Sequence, residues 1–119
     1  CKCDKCKGNK LQADTVYLFE ILRNLLAVIR GVDTPIHVNS GYRCFDYDYS
    51  LDANVSTRTH NLGLALDLST KNWVGADVLR LCQMAGYTGI GIGPTYVHVD
   101  TLGNKPRRWG YDKNGRRIQ

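Results

Sequence analysis

The sequence predicts an α+β fold: a small, largely antiparallel sheet flanked by two helices. Three observations lead there. Two stretches carry apolar residues at helical spacing between capping residues. Several short runs read as strands bounded by Gly, Pro, Asn and Asp. Helices and strands do not alternate regularly, which argues against a doubly wound parallel sheet. The chain has 119 residues, 43% of them hydrophobic and 23% charged, which is ordinary globular composition and argues against disorder. One domain over residues 1–119 is expected, with a Cys/Lys-rich N-terminal segment at 1–12 and a basic C-terminal tail at 103–119.

Each element has a local reason. Leu18, Ile21, Leu22, Leu25 and Ile29 follow a helical stripe, with Asp14 as N-cap and Gly31 as stop. Pro35 bars further helix, and residues 36–39 read as a short strand. Residues 40–59 read as a long loop rich in Tyr, Asp and Asn; long loops inside compact domains are often functional. Residues 64–68 form an apolar strand. Residues 73–85 read as a second helix, capped by Asn72 and stopped by Gly86. Strands at 89–93 and 96–101 meet at Pro94, and the tail from Gly103 is rich in turns, with a closing hairpin.

The net charge is +5 and the pI about 9.0. The excess lies at the two ends: Lys2, Lys5, Lys7 and Lys10, then Lys105, Arg107, Arg108, Lys113, Arg116 and Arg117. Such a surface suits a polyanion or is simply solvated. No recognition helix or RNA-binding signature accompanies it, so no specific nucleic-acid partner is expected. The longest apolar run is broken by Glu20, Arg23 and Asn24, too polar for a transmembrane segment. The chain begins at Cys1, so the lack of a visible signal peptide carries no weight. Cys1, Cys3 and Cys6 form C-x-C-x-x-C, while Cys44 and Cys82 stand alone. Metal binding, disulfides and reduced thiols all remain open for the trio, and Cys44 and Cys82 read as small buried residues.

The rarest side chains narrow the chemistry. Any His-based metal site must come from His37, His60 and His98. The single Glu, Glu20, sits mid-helix, a poor place for a catalytic base. Asp67 is the only ionisable side chain in the apolar strand 64–68, and a charge there needs compensation. His60 lies just before it, where a turn at Gly63 folds it back. In the strand from Tyr96, alternation puts Tyr96, His98 and Asp100 on one face and Val97 and Val99 on the other. Two His and one carboxylate, with a fourth position open, is the composition of a catalytic zinc site. The bland alternative has Asp67 capping a turn or pairing with an Arg, and His98 as a hydrogen-bonded core histidine. His37, between Ile36 and Val38, reads as a structural histidine.

The ordered set Ser40-Gly41-Tyr42-Arg43, then His60 with Gly63, Ala65 and Asp67, then Gly89-Ile90-Gly91-Ile92, Val97-His98-Val99-Asp100 and Arg108-Trp109, resembles the zinc D-alanyl-D-alanine carboxypeptidase family of peptidoglycan peptidases. That family shares its metal core with the hedgehog signalling domain. The resemblance spans about residues 18–109 and implies a hedgehog/D-Ala-D-Ala peptidase-like fold. It implies that His60, Asp67 and His98 ligate zinc, and that Arg43 binds and orients the substrate near the scissile bond. It further implies a hydrolase acting on peptidoglycan stem peptides, as carboxypeptidase or endopeptidase.

Two departures stand out. Arg58 occupies a position where relatives often have Ser, and Thr95 one where several carry a carboxylate. Asp100 is then the candidate general base, or else a group that orients His98 or Arg43. Tyr96 is a candidate for binding substrate or for packing; Trp109, with Arg107 and Arg108, matches a family position that walls the cleft, the simpler account of Trp109 being a core residue. A cell-envelope, secreted or phage-lysin setting and a monomeric state follow from the same resemblance. The rival reading is a module that keeps zinc but has lost catalysis and binds the cell wall or a partner.

Overall fold

The computed structural model describes residues 11–41, 59–60 and 62–118. The order is α1 (Ala13–Arg30), β1 (Val38–Ser40), β2 (Ala65–Ser69), α2 (Val78–Ala85), β3 (Gly89–Ile92), β4 (Tyr96–Asp100), β5 (Arg107–Tyr111) and β6 (Arg117–Ile118). The strands form one mixed sheet in the order β1-β2-β4-β3-β5-β6. Every pairing is antiparallel except β3 with β5, which is parallel. The expected α+β class with two helices is observed, and the sheet is largely but not wholly antiparallel.

The apolar stripe of α1 buries Leu22 and Leu26 completely, with Leu18, Ile21 and Leu25 packed against the core. Ile29, expected in that stripe, is exposed. Gly31 ends the helix in the left-handed conformation, φ 70°, its N–H bonded to Val28 O. Asp14 lies inside the first turn, and the N-cap is Gln12. The second helix starts later than its periodicity suggests. Gly75 has φ 82°, which a right-handed helix cannot include, so residues 73–76 form turns instead. Asp77 then caps α2, accepting from the Arg80 backbone N–H at 3.1 Å.

Both helices pack on one face of the sheet. There Leu66, Leu68, Ile90, Val97 and Val99 meet Leu22, Leu26, Leu81, Cys82 and Ala85 in a single cluster. Cys82 is fully buried, and burial pushes its thiol up to about 12, so it is an inert core residue. Cys1, Cys3, Cys6 and Cys44 lie outside the described residues. In the basic C-terminal stretch the expected closing hairpin is observed as β5 and β6, and β5 also extends the sheet by docking beside β3. No helix among the described residues is long and apolar enough to cross a membrane.

Candidate metal centre

The opposite face of the sheet carries the chemistry. Antiparallel pairing of β2 and β4 sets Asp67 directly beside His98 and Ala65 beside Asp100. Side chains opposite one another share a face, so Asp67, His98 and Asp100 stand together and away from Leu66, Leu68, Val97 and Val99. His60 arrives from the turn before β2. That turn is closed by Gly63 N–H to His60 O and Leu64 N–H to Thr59 O, with Gly63 at φ 74°. The start of α1 clamps it: the Gln12 backbone N–H and the Thr15 hydroxyl both donate to Gly63 O, at 2.8 and 3.0 Å. The expected fold-back at Gly63 is thus observed.

The result is a convergence of three ligand-type side chains, His60, Asp67 and His98. His60 Nε2 lies 3.2 Å from Asp67 Oδ2, and His98 Nδ1 lies 3.1 Å from Asp67 Oδ1. The two imidazoles meet edge to face at 5.2 Å. Both histidines are buried, while Asp67 is half-buried.

Hydrogen-bond bookkeeping tests whether these residues fit a metal. His60 Nδ1 is 2.8 Å from Gly41 O, a carbonyl that can only accept, so this nitrogen carries a proton. In the neutral ring Nε2 is then a bare lone pair aimed at a carboxylate. His98 Nε2 donates to Asp100 Oδ2 at 2.9 Å, which leaves Nδ1 as a second bare lone pair aimed at Asp67. Three electron-pair donors converge, and only a proton or a metal cation reconciles them. Ligand atoms around a tetrahedral zinc at about 2.0–2.1 Å stand about 3.3 Å from each other. The two His-to-carboxylate spacings are close to that edge length and all three ligand atoms lie within 4.8 Å of one another, so the donor set can hold a metal ion such as zinc.

The electrostatics agree. Burial opposes the Asp67 charge, but His60 and His98 hold its carboxyl well below the usual carboxylate range. Burial also opposes charge on His98, yet Asp100 and Asp67 together raise its pKa above the ordinary imidazole value.

Asp100 is fully buried on the far edge of the His98 ring, the edge away from Asp67. Its Oδ2 accepts from His98, and its Oδ1 accepts from the Leu102 backbone N–H at 3.0 Å and from Arg107. Both oxygens are engaged, and Asp100 meets His98 on the ring edge away from Asp67. Burial works against its charge, but the His98 contact leads a set of partners that keeps the carboxyl below its ordinary value.

Around this core stand aromatic side chains. Trp109 is buried with its ring 5.4 Å from that of His98, so it walls the site and does not join the helix-packed core. Tyr96 is half-exposed and packs on Tyr111 at 5.4 Å; burial raises the pKa of both phenols, and the charge of Asp67 raises them further. Tyr96 therefore borders the cluster. His37 is exposed and takes no part, offering only its backbone carbonyl to the Ser69 N–H. Arg43 lies outside the described residues. Sequence reasoning set Arg107 beside Trp109 at the cleft wall but missed its contact with Asp100, which only its place two residues before Trp109 on one strand face could have signalled.

A family model for peptidase M15 matches residues 1–100, most of the chain. The chain belongs to the peptidase M15 family. This is a zinc-dependent peptidase family, and the His60/Asp67/His98 cluster is able to hold the ion. No curated protein matches the chain. Membership and geometry together fit a zinc peptidase.

Proposed function

We propose that this M15 peptidase hydrolyses amide bonds in peptidoglycan stem peptides, as a D-Ala-D-Ala carboxypeptidase or a related endopeptidase. The proposal extends to a hedgehog/D-Ala-D-Ala peptidase-like metal core and to action at the cell envelope, whether as a secreted enzyme or a phage lysin. The observation that carries it is the convergence of His60, Asp67 and His98 on one point in a chain of a peptidase family.

His60, Asp67 and His98 would hold the metal through Nε2, a carboxylate oxygen and Nδ1. The chemistry that zinc supplies there is Lewis acidity, which polarises a carbonyl and brings the pKa of water toward about 7. The chain's own residues do the rest. Asp100 pins the His98 ring through Nε2, leaving Nδ1 deprotonated toward Asp67. Trp109 and the Tyr96–Tyr111 pair wall the sheet side and limit water there. Arg43, in the Ser-Gly-Tyr-Arg motif, orients the peptide and grips its carboxylate or the developing oxyanion. The basic surface suits an anionic cell wall.

A second reading keeps zinc without catalysis, as a cell-wall or partner-binding module. Its support is that Asp100 is fully engaged, Thr95 is no carboxylate, and no further acid joins the cluster among the described residues. Mass spectrometry of muropeptides digested with the zinc-loaded protein, beside a His98→Ala control, decides between them. Cleaved stems that vanish with chelator and in the control support hydrolysis. Intact muropeptides beside stoichiometric zinc support the binding module.

A further inference from the structure

β3 is a strand of alternating glycines, and side chains from both neighbours lean over it. Over Gly89, Asp100 of β4 meets Arg107 of β5. Over Gly91, His98 meets Trp109. A Cβ at Gly89 would collide with the Asp100 carboxylate and the Arg107 guanidinium, and one at Gly91 with the Trp109 indole. β4 and β5 are two strand spacings apart, about 10 Å. A short Asp and a long Arg can bridge that gap only over a residue without a side chain.

We propose that Arg107 is a positioning residue for the metal centre. By gripping Asp100 across Gly89, it holds that carboxylate against His98 Nε2 and so fixes Nδ1 as the nitrogen turned toward Asp67. The carboxylate is oriented by division of labour. Oδ1 accepts from Arg107 and from the Leu102 backbone N–H, which leaves Oδ2 for His98. Asp100 is fully buried, so its Oδ1 is satisfied by the partners the protein supplies, Arg107 and the Leu102 N–H. Arg107 is itself fastened: Nη2 also donates to Leu102 O at 3.2 Å, and its guanidinium lies 5.8 Å over the Trp109 ring. Asp100, Leu102, Trp109 and the flat Gly89 surface together define one place for it. Arg108, the next residue, faces the other way, donating to Thr88 O and Arg107 O.

The inference deepens the peptidase reading but depends on it only for its kinetic arm. The test compares Arg107→Met, Arg107→Lys and Arg108→Gln by zinc affinity in chelator competition, by long-range 1H–15N spectra of the His98 ring, and by kcat and KM. Arg107→Met is expected to weaken zinc binding about 10–100-fold, to mix the His98 tautomers, and to lower kcat more than it raises KM. Arg107→Lys restores part of each. Arg108→Gln leaves zinc affinity and tautomer at wild-type values. Wild-type zinc affinity with a single Nε2–H tautomer in Arg107→Met overturns the inference. If that variant does not fold, Arg107→Lys and Gly89→Ala carry the test: weakened affinity in both supports it, and wild-type affinity in both overturns it. A wild type that binds zinc tightly yet cleaves no peptide breaks the peptidase reading alone, leaving the affinity and tautomer arms intact.

Discussion

The two faces of the central strands follow opposite rules although they share a backbone. On the helix-packed face, Leu68, Ile90, Val97 and Val99 are fully buried and apolar, so close packing and area removed from water hold the fold. On the other face, His98 and Asp100 are nearly as buried, yet each is polar and held by named partners. Burial without partners would be costly there. The helix-packed face tolerates changes that conserve volume, whereas the site face depends on which atom meets which. Stability is concentrated in one face and chemistry in the other.

The sharpest way to break this contrast is to alter neighbours in β2 that point opposite ways. Asp67→Ala is expected to abolish stoichiometric zinc binding and bring hydrolysis to background, with the fold retained by circular dichroism. Leu68→Ala should cost about 2–5 kcal/mol in denaturant unfolding while the folded fraction still takes up one zinc. If Asp67→Ala unfolds the chain, or folded Leu68→Ala loses zinc, the faces are not separable.

Glycines give a smaller effect. Gly91→Ala drives a methyl group into Trp109 and should cost about 1–3 kcal/mol and weaken zinc binding. Gly110→Ala, on the helix-packed face, meets only Ile118 and Ile92 O at ordinary contact distances of 3.5–3.8 Å. It should be neutral or stabilising by about 0.4–1 kcal/mol. Thermal unfolding and chelator competition on both variants would show whether the glycines of β3 are there for the site.

Acidity gives the gentlest probe. In the metal-free protein the His98 pKa is raised, so its contribution to stability is complete below about pH 6.5 and fades as pH climbs through the raised value. The Asp67 pKa is lowered, so its contribution is complete above about pH 4 and is lost only in stronger acid. Metal-free stability should peak between these limits. Zinc affinity should instead fall steadily on acidification, because His98 must release a proton to bind. Urea unfolding against pH with chelator, set beside zinc titrations, should show the two trends opposed above about pH 6.5. Parallel trends would remove the histidine–carboxylate cluster as their source.

Much of the site is legible in the sequence because its geometry is local. Alternation in β4 separates Val97 and Val99 from His98 and Asp100, and a Gly-containing turn returns His60 to Asp67. What is not legible depends on distance or on backbone sign. The start of α2 shifts because Gly75 takes a positive φ, which composition does not reveal. The closing hairpin of β5 and β6 is legible, but the docking of β5 on β3 escapes notice because the two run parallel and β4 lies between them in sequence. The link from Arg107 to Asp100 crosses an intervening strand, and it becomes visible only once Gly89 is seen to separate them.

The parallel pairing of β3 with β5 also sets a timetable. β1 to β4 can pair from residues made earlier, but Arg107 and Trp109 leave the ribosome about twenty residues after Gly89 and Gly91. Until they dock, the glycine strand is an open sheet edge and Asp100 has no guanidinium across it. A nascent chain can therefore gather its histidines early, yet His98 is secured only when β5 arrives. Synthesis keeps the metal centre unfinished until β5 has been made.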